Sequence, residues 1–316
     1  MELRQLRALL AIAETGSVTK ASNLLHVVQP AISRQVRLLE QELGKSLFVR
    51  TRSGMEATEE GKLLIESARR ALLALDQAVA EIKPSRGTIA GLVSVGFLPS
   101  VCDLIAGDLL ADVRRAYPHI RLRLTTGYPG QLQNLLEGGM LDLAIYYDPK
   151  DHPAVDTSAL LDEPLFLVWN NELLPHSWDG PQPLSVLGNL PLILPSSSHS
   201  VRGVIEHACV IENVPLNIVA EADATQLTKT LVLAGAGHTV LAGVAIADPA
   251  LRDKVHSVPI GDPLLQRRIT LTASSPRRKS APVQCVSSIL RSLVRRVVTD
   301  GAWPGARLVE LPSTAK

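Results

Sequence analysis

The sequence predicts an α/β protein with a small helical module at the N-terminus and a larger module of alternating strands and helices. Three observations lead to this prediction. Apolar residues recur at helical spacing through the first sixty positions, a heptad pattern runs through residues 65–82, and beyond residue 88 strand-like segments alternate with helical ones. With 316 residues, 46% hydrophobic and 20% charged, the chain can bury more than one core.

Charge divides the chain into three regions. Residues 1–83 carry a net charge of +2, residues 84–266 a net charge of −9, and residues 267–316 a net charge of +8. Such asymmetry indicates that different parts of the chain meet different partners.

The first module contains the pattern of a helix-turn-helix. Gly16 ends a first amphipathic helix, Ser17 is placed to cap a second helix that runs to Leu25, and a third helix begins near Gln29, where Pro30 is tolerated in the first turn. Two short helices joined by a tight turn are typical of this motif.

The third helix has one apolar and one polar face. Helical spacing places on the apolar face Ile32, Val36, Leu39 and Leu43. The opposite side presents Pro30, Arg34, Arg37 and Gln41, with Ser33 on the flank and Gln29 at the helix start. Such side chains can hydrogen-bond base edges or phosphates, although a solvated polar face would show the same pattern.

A short two-stranded wing is predicted after the third helix. Its strands are Leu47-Phe48-Val49-Arg50 and Gly54 to Thr58, and its basic residues would contact backbone phosphate. Our candidate DNA-binding residues are Ser17, Thr19, Gln29, Pro30, Ser33, Arg34, Arg37, Arg50 and Arg52.

Residues 1–60 resemble the winged helix-turn-helix of the LysR-type transcriptional regulators. The matching segments are Leu3-Arg4-Gln5-Leu6, Ala13 to Ala21, Leu25-His26, Gln29 to Gln35, Leu38-Leu39-Glu40, Glu42-Leu43-Gly44, Leu47 to Arg50 and Thr58 to Gly61. The family usually has a serine before the Gln-Pro pair, whereas this chain has Val28. The third helix therefore lacks a capping hydroxyl.

A long helix from about Glu59 to Ile82 carries a heptad seam. Its members are Ile65, Ala68, Leu72, Leu75, Val79 and Ile82. The chain could bury this seam against its own body, or a partner helix could cover it. The resemblance favours the partner, since LysR-type proteins dimerise through this linker helix.

The second module shows the pattern of βαβ units. The strand candidates are Ile89–Phe97, Arg121–Thr125, Asp142–Tyr147, Leu165–Trp169, Pro191–Leu194, Asn217–Glu221 and Thr239–Ala242. The helix candidates are Val101–Tyr117, Gln131–Glu137, Val201–Ile211 and Thr225–Ala234.

Several tracts of this module, among them GLVSVGFLPS, LEGGMLDLAIYY and LVLAGAGHTVL, are similar to the LysR effector domain. The resemblance implies two Rossmann-like lobes like those of type 2 periplasmic binding proteins. Within the family, the GFLPS, YYDP and SALLDEPLFLV tracts most resemble the nitrogen assimilation control branch.

The expected organisation has five parts. They are a DNA-binding domain (1–58), a dimerisation helix (59–83), a hinge (84–87), an effector domain (88–301) and a flexible tail (302–316). Within the effector domain, lobe one takes residues 88–163 and 268–301, and lobe two takes residues 164–267.

Ligands in open α/β sheets bind at the carboxyl ends of strands, where helix N-termini favour anions. Four loops each follow a strand candidate and precede a helix: Pro99-Ser100, Gly127 to Gly130, Ser196 to Arg202 and Ala224-Thr225. In the family these loops converge to line the inducer cleft. Our effector candidates are Ser100, Gly127, Pro129, Ser198, His199, Ser200, Arg202 and Thr225. The hydroxyls could equally be helix caps, and Arg202 a surface helix residue.

Enzyme, cofactor and metal signatures are weak. Ser94 lies in GLVSVG rather than in a nucleophile elbow, Gly235-Ala236-Gly237 lacks the third glycine of a dinucleotide loop, and His207 with Cys209 lacks further ligands. Cys102 has no evident resolving cysteine, so a packed thiol is favoured over a redox role. No enzymatic activity, cofactor or metal is expected.

The basic C-terminal region could add non-specific DNA affinity, or its arginines could line the solvated face of a last helix near Val283 to Val298. We favour the helix, with the apolar stripe Val286, Ile289, Leu290, Leu293, Val294 and Val297.

We interpret the chain as a cytoplasmic LysR-type regulator, since the N-terminus lacks the apolar run of a signal peptide and no segment reads as a membrane span. The resemblance implies a homodimer or homotetramer on an interrupted palindrome of double-stranded DNA. A small anionic effector between the lobes would alter the DNA bend or the contact with RNA polymerase, or the regulator would act constitutively. The alternative is a cytoplasmic small-molecule-binding protein of the periplasmic-binding-protein type, without regulatory DNA binding.

Overall fold

The computed structural model describes residues 1–82, 88–147, 149–170, 172–174, 176–197, 199–251, 254–275 and 277–309. The chain forms two compact units, residues 1–84 and residues 85–316. The expected hinge at 84–87 lies outside the described residues.

The first unit is a winged helix-turn-helix followed by a long helix. Its elements are α1 (Leu3–Thr15), α2 (Val18–Leu24), α3 (Gln29–Leu43), β1 (Phe48–Thr51), β2 (Gly54–Ala57) and α4 (Glu59–Ile82). Leu9, Ile12 and Leu39 lie at the centre of its core, joined by Leu47 of the wing and Ile65 of α4. The periodicity therefore predicted the core-facing sides of α1 and α3, except at Leu43. That side chain is 45% exposed because the helix ends at Gly44.

The wing is fixed to the end of α1 by a close backbone approach. The amide of Met55 donates to the carbonyl of Gly16 at 2.8 Å. A Cβ at Gly54, where φ is 136°, would lie 2.4 Å from that same oxygen. Glycine at this position therefore lets β2 reach the helix-turn-helix.

The heptad seam of α4 divides into two parts, which corrects its predicted extent. Ile65 and Ala68 are buried in the unit's own core and Leu72 packs against it. Leu75, Val79 and Ile82 are 44%, 49% and 79% exposed. The first turns of α4 thus cover the helix-turn-helix, and the apolar surface open to a partner begins near Leu72.

The second unit contains the alternating elements. Its helices are α5 (Pro99–Ala116), α6 (Pro129–Glu137), α7 (Ser200–Ile211), α8 (Thr225–Leu233), α9 (Gly243–Ile246) and α10 (Ala281–Thr299). Its strands are β3 (Gly91–Phe97), β4 (Ile120–Thr126), β5 (Leu143–Tyr147), β6 (Val155–Trp169), β7 (Leu192–Leu194), β8 (Ile218–Glu221), β9 (Thr239–Ala242), β10 (His256–Pro259), β11 (Gln266–Ser274) and β12 (Arg307–Leu308).

The long strand β6 is shared by two lobes. Residues 155–164 pair with β11, which joins β5, β3 and β4 into the sheet of lobe one. Residues 165–168 pair with β9 and residues 166–169 with β10 in lobe two, where β7 and β8 form a parallel pair. A β-bulge at Leu160 changes the register of β6 before this exchange of partners.

Glu163 lies where β6 passes between the lobes. Its carboxylate is fully buried and accepts three hydrogen bonds, from Arg267 Nε at 2.7 Å, the Val244 amide at 2.6 Å and Trp303 Nε1 at 2.7 Å. A buried carboxylate is tolerated because donors and an opposite charge replace the water that it loses. These donors come from β11, from the start of α9 and from the segment after α10.

The segment after α10 is packed, so the expectation of a flexible tail is wrong for residues 302–309. Trp303 is 1% exposed, and β12 pairs with β6. The carbonyl oxygen of Pro304 would lie 2.1 Å from a Cβ at Gly243, so this close approach requires glycine. Trp303 holds this segment against the lobes because its indole N–H donates to the buried Glu163 carboxylate.

The helix predicted for the basic C-terminal region is confirmed as α10. It buries Val286, Leu290 and Leu293 against lobe one, while Arg296 on its outer side pairs with Asp112 at 3.0 Å. None of the described helices combines the length and the hydropathy needed to cross a membrane.

The Glu163 cluster predicts a specific stability effect. Trp303→Phe removes one of the three donors to a buried carboxylate, and we expect the free energy of unfolding to fall by about 1–3 kcal/mol. Chemical denaturation of the full chain measures this change. Trp178→Phe is the matched control, since the Trp178 indole N–H donates to none of the described residues. An equal decrease in the free energy of unfolding in both variants would contradict the role of Trp303.

Candidate functional site

The exposed face of α3 is polar and basic, as its periodicity predicted. Gln29, Pro30, Arg34 and Arg37 are exposed, and Ser33 is half-buried on the flank. The predicted loss of a capping hydroxyl is confirmed: Val28 occupies the N-cap position and makes no side-chain cap. Pro30 has no amide hydrogen and the Ala31 amide donates to the Val28 carbonyl at 2.9 Å, so the first turn offers the Gln29 amide to an anion such as a DNA phosphate.

The second helix supplies the other half of the motif. Ser17 caps α2, its Oγ accepting from the Lys20 amide at 3.4 Å, and Thr19 is exposed in the first turn. His26 adopts a left-handed conformation with φ of 54°, which turns the chain between α2 and α3. The turn is closed by the Val27 amide, which donates to the Ser22 carbonyl at 3.0 Å.

The wing adds two exposed arginines, Arg50 on β1 and Arg52 in the turn that follows it. The Leu47 amide, just before β1, donates to Glu40 Oε1 at 2.8 Å, so this acid of α3 holds the start of the wing. Hydrogen bonds from Ser53 and Thr51 engage Glu56 and lower the pKa of its carboxyl.

The basic residues of this unit are open to a ligand. Among the described residues, no carboxylate lies within ion-pair distance of Arg34, Arg37, Arg50 or Arg52. The neighbouring acid Glu42 instead pairs with the Met1 amino group at 2.8 Å. Four exposed cations without counter-charges suit a polyanion, because they lose no internal partner when they bind phosphate.

In the second unit, a cavity of about 60 Å³ lies between the lobes. Its lining includes Ser100 in the first turn of α5, His199 at the N-cap of α7 and Thr225 at the start of α8. Three of the strand-end loops predicted to converge thus meet at this cavity. A space of this size holds about four to six waters, or an anion of a similar number of heavy atoms.

Two lining residues were missed by the sequence analysis. Arg267 is 8% exposed and its Nε is bound to Glu163, while no other group in the described part of the chain bonds its terminal nitrogens. Thr239 is fully buried, and its Oγ1 finds no partner among the described residues. Neither carries a local sequence signal: Arg267 reads as part of the basic C-terminal region and Thr239 as an ordinary strand residue.

The remaining effector candidates lie elsewhere. Arg202 is buried, with Nε on Glu206 at 2.8 Å and Nη1 on the Pro195 carbonyl at 2.9 Å, and it does not line the cavity. The prediction that Arg202 supplies the cleft's charge is therefore corrected, because the helical i, i+4 pair already uses that charge. Gly127 and Pro129 shape the turn into α6 without lining the cavity. Ser198 and the side chain of Ser200 lie outside the described residues.

Contacts across the cleft place Tyr128 of lobe one against lobe two. Its hydroxyl donates to the Asp223 carbonyl at 2.9 Å, and its ring makes an edge contact with His199 at 5.3 Å. Burial and the nearby Arg267 charge lower the pKa of His199, which favours the neutral imidazole. Hydrogen bonding from Ser196 lowers the pKa of Asp223, which adds one carboxylate to the cavity wall.

Two of the three thiols, Cys102 and Cys209, are poorly suited to redox chemistry. Burial raises the pKa of both Cys102 and Cys209, and no cysteine is among the described residues that line the cavity. In the same described ranges, no group of three His, Cys, Asp or Glu side chains could hold a metal ion.

Two family models match the chain. The model of the bacterial regulatory helix-turn-helix protein, lysR family, matches residues 3–62, and that of the LysR substrate binding domain matches residues 86–295. The nitrogen assimilation regulatory protein nac of Klebsiella aerogenes is 30% identical over 94% of this chain and 96% of that protein. The regulator BbuR of Bordetella bronchiseptica is 30% identical over 93% of this chain and 90% of that protein. The similarity to nac supports the predicted nitrogen assimilation control branch.

Solved structures share the fold. CbnR in complex with its target DNA has a TM-score of 0.71 at 23% identity, covering 94% of this chain and 99% of that one. A full-length OxyR variant from Pseudomonas aeruginosa has a TM-score of 0.65 at 23% identity, covering 93% of this chain and 98% of that one. Both comparisons extend over the helical unit and the two-lobed unit.

Proposed function

The chain belongs to the LysR family of transcriptional regulators, and we propose that it binds promoter DNA through α3 and the wing. The observation that carries the proposal is the set of exposed arginines, two on α3 and two on the wing, that no carboxylate neutralises among the described residues. Arg34 and Gln29 lie near the N-terminal end of α3, the part of a recognition helix that contacts base edges. Arg50 and Arg52 contact backbone phosphate.

The DNA-bound form is a homodimer or a pair of dimers on an interrupted palindrome. The exposed part of the α4 seam supports the dimer, since Leu75, Val79 and Ile82 form an apolar stripe at heptad spacing. Joining two helix-turn-helix units couples two half-sites and raises affinity without any new DNA contact. Such a regulator acts in the cytoplasm and catalyses no reaction. The two-lobed unit alone would also suit a solute-binding protein, but the helical unit favours regulation.

The effector of this regulator is a small anion in the interlobe cavity. The terminal nitrogens of Arg267 and the hydroxyls of Thr239, Thr225 and Ser100 supply donors, and Asp223 accepts from a hydroxyl or amino group of the ligand. Because Arg267 and Val244 are both bound to Glu163, an anion on Arg267 acts on the junction of the lobes. A relative from Dickeya chrysanthemi, 29% identical, is named a hydrogen peroxide-inducible genes activator; here the raised pKa values of Cys102 and Cys209 favour a non-covalent effector.

The first test concerns the recognition helix. We expect Arg34→Ala and Gln29→Ala each to weaken binding to a cognate promoter by about 1–3 kcal/mol, as for a lost base contact, and Arg50→Ala to weaken all sequences alike. Gel shifts on cognate and scrambled fragments measure both effects. Arg123→Ala, an exposed arginine of the other unit, is the control; unchanged cognate affinity in both α3 variants would refute the assignment.

The second test concerns the α4 seam. Leu75→Asp places a charge on the proposed helix pair, where burying it unpaired is costly. Light scattering should show monomers, and promoter affinity should fall by about 10²–10⁴-fold. Leu63→Asp is the matched control, since Leu63 is 68% exposed on the same helix but lies off the seam. If the Leu75→Asp variant remains fully dimeric, the α4 seam is not the dimer interface.

The third test concerns the cavity. A thermal-shift screen of organic acids and inorganic anions should find an anion that raises the melting temperature of the full chain. Ser100→Ala and Thr225→Val should reduce that shift without unfolding the protein, because a lost hydroxyl costs about 0.5–1.5 kcal/mol. If no anion acts, the regulator is constitutive; if a hit binds both variants as tightly as the parent chain, the interlobe cavity is not the sensor.

A further inference from the structure

A second cavity, of about 500 Å³, lies in lobe one beside α10. It shares no lining residue with the interlobe cavity. Its floor is formed by Leu143 of β5 and Leu271 of β11, and one wall by the N-terminal half of α10. Its volume falls within the range of about 300–1,000 Å³ that is usual for small-molecule sites.

The lining of this α10 cavity carries excess positive charge. Three cations, Arg278, Lys279 and Arg291, face a single carboxylate, Asp156, which leaves a net charge of +2. Arg278 Nη1 pairs with Asp156 Oδ2 at 2.7 Å. Neither Lys279 nor Arg291 forms an ion pair with any described residue.

Arg291 is the most constrained of these cations. It is half-buried, and its Nη2 donates to Ser158 Oγ at 2.6 Å, while that hydroxyl donates to the Leu271 carbonyl at 3.0 Å. The guanidinium is therefore held in place by a neutral group, and burial lowers its pKa. Arg291 is a partly desolvated cation with no carboxylate bonded to it. An anion that enters the cavity can pair with it, and this pairing offsets the cost of desolvation.

The polar groups around Arg291 indicate the size and chemistry of that anion. Ser287 and Ser288 supply hydroxyls, Gln284 supplies an amide, and the first turn of α10 adds its positive end. Two uncompensated cations match two negative charges, and the apolar floor can contact the carbon atoms between them. We propose that this cavity binds a small organic dianion, either a dicarboxylate or a phosphate monoester, at a ligand site separate from the interlobe cleft.

Calorimetric titration of the full chain tests the proposal with three probes. Succinate represents the dicarboxylates, glycerol 3-phosphate the phosphate monoesters, and butyrate a monoanion of similar size. We expect one of the two dianions to bind, and butyrate to bind about tenfold more weakly or worse, because it leaves one cation without a partner. The dianion that binds more tightly shows whether the ligand of this cavity is a dicarboxylate or a phosphate monoester. If neither binds below about 10 mM, the proposal fails.

Variants locate the binding. Arg291→Gln and Lys279→Gln should each weaken dianion affinity about tenfold, the loss typical of one charge-assisted contact. Lys279 is exposed, so its substitution serves if Arg291→Gln does not fold. Arg295→Gln, an exposed arginine of α10 that does not line the cavity, should bind as the parent chain does. Equal affinity in all three variants, or binding that is lost in Ser100→Ala but kept in Lys279→Gln, would overturn the α10 site.

Discussion

The buried carboxylate of Glu163 is the constraint on which the architecture of the two-lobed unit depends. It lies on β6, which pairs with strands of both lobes, and its two oxygens accept from the Arg267 side chain, the Val244 amide and the Trp303 indole. A buried charge costs several kcal/mol when unpaired, so these donors stabilise the folded unit. One side chain therefore fixes a cleft residue, the start of α9 and the C-terminal segment together.

This arrangement gives the interlobe cavity a direct connection to the lobe junction. Arg267 donates from Nε to Glu163 and lines the cavity, while its guanidinium lies 4.4 Å from the ring centre of Tyr147. A ligand that competes for Arg267 changes the electrostatics of the same carboxylate that holds Val244. Under the proposed function, an anion bound at Arg267 therefore acts on the lobe junction through Glu163.

The sequence predicted those features that depend on local spacing. Apolar periodicity located Ile32, Val36 and Leu39 in the core of the first unit, and the apolar stripe of α10 was predicted in the same way. The prediction was wrong where long-range contacts decide the outcome. The Arg202 guanidinium is bound to Glu206 and to the Pro195 carbonyl, so it does not face the cleft. The C-terminal segment is held through the hydrogen bond from Trp303 to Glu163, about 140 positions earlier in the chain. Arg267 and Thr239 enter the cavity only because β6 brings β11 and β9 to it, which no local motif reveals.

Hydrogen exchange at the Val244 amide tests the role of Glu163 most directly. α9 has only four residues, from Gly243 to Ile246, and this amide donates to the Glu163 carboxylate instead of a backbone carbonyl. If Glu163 joins the lobes into one cooperative unit, the amide exchanges only through global unfolding, with the same opening free energy as the central amides of β3. Exchange at the rate of an exposed loop, while β3 stays protected, would show that the lobes separate without breaking the core and would contradict this account.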